Sequence, residues 1–116
     1  MAQTPVAVGL MLCEKVIVEE GTRNFSLINC FTQRTVKRLP SEPVLFVVFT
    51  TLTNGLGEMQ LTLRIERLDT LEAVYEWSKP LRLGNPLHSV RCTWRVSDCS
   101  FPVVGSYDVL LLGSVR

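Results

Sequence analysis

The sequence predicts an all-β protein whose antiparallel strands pack as a sandwich. Apolar and polar residues alternate through most of the long runs, which is the period of a strand with one buried face. Clusters of Gly, Pro, Asn and Asp separate these runs and are typical of turns. The chain has 116 residues, of which 47% are hydrophobic and 20% are charged, so it suits a single domain, 1–116, with one core.

Seven strands account for this pattern, and they favour two antiparallel sheets in an immunoglobulin-like arrangement. The chain contains no internal repeat, low-complexity tract or long linker that would divide it further. The predicted strands span residues 6–20, 23–38, 44–53, 58–68, 72–83, 88–97 and 106–115.

The first two strands form a predicted hairpin. Gly21 and Thr22 between them suit a two-residue type II′ turn, in which glycine takes the first central position. In that register the numbers of facing residues sum to 43, so Val18 lies opposite Phe25. One face of the hairpin is therefore apolar.

The same register places Cys13 opposite Cys30, and this geometry would permit a disulfide. No basic residue precedes the apolar run "PVAVGLML", and Leu12 occupies the position where signal processing needs a small residue. We therefore expect a cytoplasmic protein whose four cysteines are reduced thiols, because that compartment keeps thiols reduced.

The fourth and sixth strands show the clearest alternation. In "EMQLTLRIERL" the apolar face consists of Met59, Leu61, Leu63 and Ile65. In "SVRCTWRVS" it consists of Val90, Cys92, Trp94 and Val96. Both runs predict strands with one face in the core.

The fifth strand has a helical alternative. In "RLDTLEAVYEWS" the residues Leu68, Leu71, Val74 and Tyr75 have near-helical spacing. The β-branched and aromatic residues of this run, and the nearby Pro80, favour a strand instead.

The third and seventh strands, "VLFVVF" and "YDVLLLG", are apolar on both faces, a pattern typical of strands buried on both sides. An immunoglobulin-like order would place them in one sheet with the sixth strand, whose outer face carries arginine. We therefore predict a self-association interface with an apolar centre and a basic rim. Its residues are Leu45, Val47, Phe49, Arg91, Arg95, Leu110 and Leu112. The alternative is that a loop or the N-terminal segment covers this sheet.

Tyr107 follows Gly105 at the start of the last strand. Its ring is expected to be buried, and a buried phenol normally needs a hydrogen-bond partner. We predict that its hydroxyl bonds a backbone group near the preceding turn.

Catalytic and metal sites are not predicted. The chain has one histidine, His88, in a turn region, and no nucleophile motif accompanies it. Together with Cys92 and Cys99, His88 has a spacing that matches no common zinc site. No cofactor is implied, and the cysteines are interpreted as packing residues.

Nucleic-acid and membrane partners are not predicted either. The formal net charge is +1, and aromatic residues do not interleave with the basic ones. No run approaches the roughly 18 apolar residues of a membrane-spanning helix.

The motifs "LCEKVIVEEGTRNFSLINCF", "PVLFVVFTTLTNGLGEMQLTLRI" and "FPVVGSYDVLLL" resemble a family of small, stand-alone, uncharacterised bacterial proteins. Its members open with a cysteine-acid pair, matched here by Cys13 and Glu14, and end with a "PxxGxY" motif. The resemblance covers nearly the whole chain and implies an immunoglobulin-like sandwich with no assigned activity. Asn29 replaces the glycine that the family has in "sLiGvF".

Two function classes follow from these observations. The first is a non-catalytic interaction or scaffold protein that forms a homodimer or binds another protein. The alternative is a small-ligand binder or cryptic hydrolase that uses loops at one end of the sandwich, with Trp77, His88 and Asp98 as its candidate residues.

Overall fold

A computed structural model describes residues 5–33, 35 and 38–115, and every regular element in this part of the chain is a β-strand. No helix among these residues is long and apolar enough to cross a membrane. The described residues form eight strands rather than the predicted seven: β1 Val6–Cys13, β2 Lys15–Val18, β3 Phe25–Ile28, β4 Val44–Thr53, β5 Gly57–Arg67, β6 Ala73–Leu83, β7 Val90–Cys99 and β8 Tyr107–Val115.

The extra strand arises because the predicted strand 6–20 breaks at Glu14. The Glu14 amide donates a 3.0 Å hydrogen bond to the Ile28 carbonyl, and Asn29 beside it has a left-handed φ of 55°. Asparagine tolerates this conformation better than most residues, so the bend survives the replacement of the expected glycine. The predicted strand 23–38 is regular only over β3, and its positions 34, 36 and 37 lie outside the described residues.

The β2–β3 hairpin has the predicted register, with Val18 opposite Phe25. Its turn is longer than predicted, however. The Glu19 carbonyl accepts a 2.9 Å hydrogen bond from the Arg23 amide, and Arg23 itself has a left-handed φ of 63°. A four-residue loop, 20–23, therefore replaces the two-residue turn without changing the facing pairs.

The five remaining strands begin and end within about two residues of their predicted limits, as expected for boundaries read from sequence. The helical alternative for residues 68–79 is wrong, because Ala73–Leu83 forms β6 and pairs with β5.

Strand order corrects one expectation. One sheet has the order β1-β4-β7, the other has the order β6-β5-β8, and the hairpin forms a separate pair. All of these neighbours are antiparallel. The last strand was expected to share a sheet with β4 and β7, but it pairs with β5 along its whole length.

The two three-stranded sheets enclose one apolar core. The predicted inner faces of β5 and β7 are confirmed, since Leu63 and Trp94 are fully buried at its centre. The other buried members of the cluster are Val44, Phe46, Val48, Leu52, Met59, Leu61, Ile65, Leu83, Cys92, Val96 and Cys99. Burial of this apolar surface is the main stabilising contribution to the fold.

The edge strand β1 contains a bulge at Gly9. Its pairing with β4 shifts between Val8 and Leu10, and Gly9 takes a left-handed φ of 73°. The buried hydroxyl of Thr50 donates a 2.6 Å hydrogen bond to the Gly9 carbonyl. A threonine on the inner face of β4 thus satisfies a backbone acceptor that the bulge leaves without its ladder partner.

Candidate functional site

The β2–β3 hairpin packs on the outer face of the β1-β4-β7 sheet and covers part of the predicted interface. The Phe25 ring lies 5.4 Å from the Phe49 ring, centroid to centroid. Val47 and Cys13 are paired on this outer face and are buried, although they do not belong to the inner core. The N-terminal segment therefore covers this part of the sheet, as the alternative interpretation expected.

The two arginines of the predicted rim differ in their contacts. The Arg91 guanidinium lies over the Phe25 ring, 5.1 Å from its centroid, and so packs within the chain. Arg95 is exposed opposite the buried Val47. Leu45 remains 65% exposed at the other end of β4.

Leu110 and Leu112 do not join this surface. They belong to β8 in the second sheet, where they pair with Arg64 and Thr62 on the outer face. Leu112 is 47% exposed and Leu110 is half-buried. Their outward direction agrees with the prediction, but the single patch combining them with Leu45 is wrong, because it required β8 to pair on the other sheet.

The three candidate residues of the alternative function do not converge. His88 precedes β7 and Asp98 lies near its other end, so the length of the strand, roughly 30 Å, separates them. Trp77 lies on β6, with its indole packed edge-on against Trp94 at 5.5 Å between ring centroids. No group of three or more His, Cys, Asp or Glu side chains in the described ranges could hold a metal ion.

The indole of Trp94 forms the base of a small aromatic and cationic cluster. The Lys79 ammonium lies 4.1 Å from the Trp94 ring centroid and 3.4 Å from the Thr93 carbonyl oxygen. Trp94 Nε1 is buried without a hydrogen-bond partner. The cluster closes the side of the core where β6 approaches β7, and the full burial of the Trp94 ring indicates a structural role.

All four cysteines are free thiols in the structure, and three of them are buried. Burial raises the pKa of the Cys13 thiol, and the neighbouring Cys30 raises it further. Burial also raises the pKa of Cys99 to about 11, with a further contribution from the adjacent charge of Asp98. Raised pKa values disfavour the thiolate, so neither buried group is activated as a nucleophile or metal ligand.

An apolar cavity of about 590 Å³ opens at the end of the sandwich where β1 ends and β8 begins. Its floor is formed by the buried side chains Phe46 and Ile65. The remaining lining includes Leu12, Phe31, Leu39, Phe101, Tyr107 and Val109, with Thr32, Gln33 and Ser106 as polar members. Its volume and apolar character lie within the usual range of small-molecule sites.

The loop 101–106 forms one wall of this cavity. Val103 and Val104 are 39% and 82% exposed there, and both also line an adjoining hollow beside Arg67. The Arg67 guanidinium is committed to Asp69, to which it donates hydrogen bonds of 2.8 and 3.0 Å. This bond from Arg67 lowers the pKa of the Asp69 carboxyl.

Sequence reasoning did not find this cavity. Residues 101–105, "FPVVG", were interpreted only as a turn. The two consecutive valines of this turn could have indicated a binding surface. Turns are usually polar, so an apolar pair in a turn either packs against other residues or forms exposed apolar surface.

Tyr107 makes the predicted hydrogen bond to the backbone, although its side chain is half-buried rather than buried as expected. Its hydroxyl donates a 2.6 Å hydrogen bond to the Val103 carbonyl, and its ring packs against Phe101 at 4.8 Å between centroids. The residue therefore holds the cavity wall against the start of β8.

Comparison with protein-family models, with curated proteins and with solved structures found no match to this chain. The resemblance to small bacterial proteins stays a prediction.

Proposed function

We propose that the protein is a non-catalytic interaction or scaffold module that self-associates in the cytoplasm. The observation that carries this proposal is exposed apolar surface on the outer faces of both sheets, where Val6 and Val8 of β1 are 54% and 58% exposed and Leu112 of β8 is 47% exposed. Contiguous apolar surface of this kind marks interaction sites more often than isolated exposed residues do.

The separation of the candidate catalytic groups supports the same class. His88 and Asp98 lie at opposite ends of β7, and the described residues that line the end cavity include no carboxylate, histidine or cysteine. General acid–base or nucleophilic catalysis needs such groups within hydrogen-bond reach of each other. The fold is proposed to be a variant of the immunoglobulin-like sandwich with the β2–β3 hairpin added, and its shared core between two sheets supports this.

Sedimentation velocity from low to high micromolar concentration tests the proposal. We expect a reversible dimer whose population rises with concentration. A species that stays monomeric over the whole range would contradict self-association.

The end cavity favours one second candidate, the binding of a small apolar ligand. A neutral fluorescent probe, N-phenyl-1-naphthylamine, should gain fluorescence with the protein if its naphthyl group enters the cavity. Ser106→Phe adds a ring to the lining and should abolish the gain, because the cavity is then filled. Ser89→Phe, in the exposed loop at the other end of the sandwich, is the matched control and should retain it. Equal signals from both variants would contradict binding at this cavity.

A further inference from the structure

The two stacked sheets have four edge strands, β1 and β7 in one sheet and β6 and β8 in the other. An edge strand presents unpaired N–H and C=O groups that can pair with any extended chain. Proteins block such edges with proline, with charged side chains, with inward-pointing lysine or with bulges. These devices are distributed unequally in this protein.

Three of the four edges carry a blocking device. β6 contains Pro80, which cannot donate to a ladder, and Lys79, which points inward onto the Trp94 ring. β7 carries Arg91 and Arg95 on its outer face, and its pairing shifts near Val44. The ladder of β1 is interrupted by the bulge at Gly9.

The edge of β8 carries no such device among the described residues. Tyr107–Val115 pairs with β5 over its whole length without a register shift. It contains no proline or basic residue, and its one charged side chain, Asp108, lies at its start. Leu110 and Leu112 lie on the outer face beside this edge.

We propose that β8 pairs antiparallel with β8 of a second copy of the chain, so that two three-stranded sheets become one six-stranded sheet. This rests on the self-association proposed above and assigns it to one strand. A twofold axis makes the same strand available on both copies, and antiparallel pairing is the arrangement that such an axis produces. Backbone hydrogen bonds along the strand would supply much of the affinity.

The sequence of β8 is self-complementary about its midpoint, Leu111. With the axis there, all nine residues of the strand find a partner, and facing residue numbers sum to 222. Leu110 then faces Leu112 of the second copy, so the outer face gains a cluster of four leucines. Asp108 faces Ser114 of the second copy rather than a like charge.

The first test is the double variant Leu110→Thr, Leu112→Lys. It should raise the dimer dissociation constant, measured by sedimentation, by about tenfold or more, because it removes the leucine cluster and places charge at the edge. Leu45→Lys and Leu87→Lys change leucines that are 65% and 88% exposed elsewhere, and both should dimerise like the wild type. A wild-type dimer that the double variant leaves unchanged would overturn the β8 pairing alone. A wild-type monomer would overturn self-association as well.

The second test measures register and does not depend on the stability of the double variant. In a Cys30→Ser background, which removes the exposed native thiol, one protein carries Leu110→Cys and another carries Leu112→Cys. Mixed and oxidised with diamide, they should form the mixed disulfide faster than either forms its own, because the two positions face each other across the axis. Equal rates for the three pairings would overturn the register centred on Leu111.

Discussion

The Tyr107 hydroxyl donates a 2.6 Å hydrogen bond to the carbonyl oxygen of Val103, four residues earlier in the chain. The bond ties the first residue of β8 to the loop that forms one wall of the end cavity. Tyr107→Phe should lower the free energy of unfolding by about 1 kcal/mol, since it removes one hydrogen bond and keeps the ring. Urea unfolding followed by circular dichroism measures this difference.

Tyr75→Phe is the control for this prediction. Its ring is half-buried on β6, and its hydroxyl makes no hydrogen bond to any residue that the structure describes. Equal effects of the two substitutions would show that the Val103 bond has no special contribution.

Thr50→Val tests the bond from the buried hydroxyl to the Gly9 carbonyl. Valine keeps the shape of threonine but leaves this carbonyl without its 2.6 Å donor. We expect a loss of about 1–3 kcal/mol, the range for a buried acceptor left unsatisfied. Thr53→Val is the control, because its bond to the Val6 carbonyl is exposed and 3.5 Å long. If Thr50→Val has no effect in a urea titration, the bond does not stabilise the bulge.

The thiols give a labelling prediction. Alkylation without reductant should attach four labels to the unfolded protein, because all four cysteines are free. In the native protein Cys30 should react first, since it is exposed while Cys13, Cys92 and Cys99 are buried. Intact-mass analysis counts the labels. Two or fewer labels on the unfolded chain would contradict the reduced state.

Stability should fall at alkaline pH because of Cys99. Burial raises its pKa from 9.0 in the ordinary thiol to about 11, so the folded state holds its proton more tightly than the unfolded state. The contribution of the Cys99 thiol to the free energy of unfolding is therefore fully present below pH 9. It is lost as the pH rises towards 11, by about 1 kcal/mol per pH unit.

Urea unfolding at several pH values between 8 and 11 measures this slope. Cys99→Ala should have a shallower slope than the wild type, whatever its stability at neutral pH. Cys30→Ala, which changes an exposed thiol, should alter the slope less than Cys99→Ala does, because it removes only the smaller of the two contributions that raise the pKa of Cys13. Identical slopes in all three proteins would remove Cys99 as the cause.

The fold and the candidate site differ in how far the sequence could predict them. The inner faces of β5 and β7 were predictable because alternation reports which side of a strand is buried, as Leu63 and Trp94 confirm at the core centre. The break at Glu14 was not predictable, because it depends on the left-handed backbone conformation of one residue, Asn29. Asparagine permits this conformation but does not require it. The end cavity was missed because its lining comes from segments far apart in the chain.

The sequence by itself determined the strand class, the inner faces of β5 and β7, the hairpin register and the hydrogen bond of Tyr107. These follow from local periodicity and from the tendency of a packed phenol to find a nearby hydrogen-bond acceptor, both of which depend on residues close in the chain. Only the tertiary structure decided that β8 pairs with β5, that the hairpin covers Val47 and Phe49, and that Arg91 packs on Phe25. Pairing between distant strands depends on the packing of the whole chain, and a strand's own pattern specifies which face is apolar without specifying its neighbour.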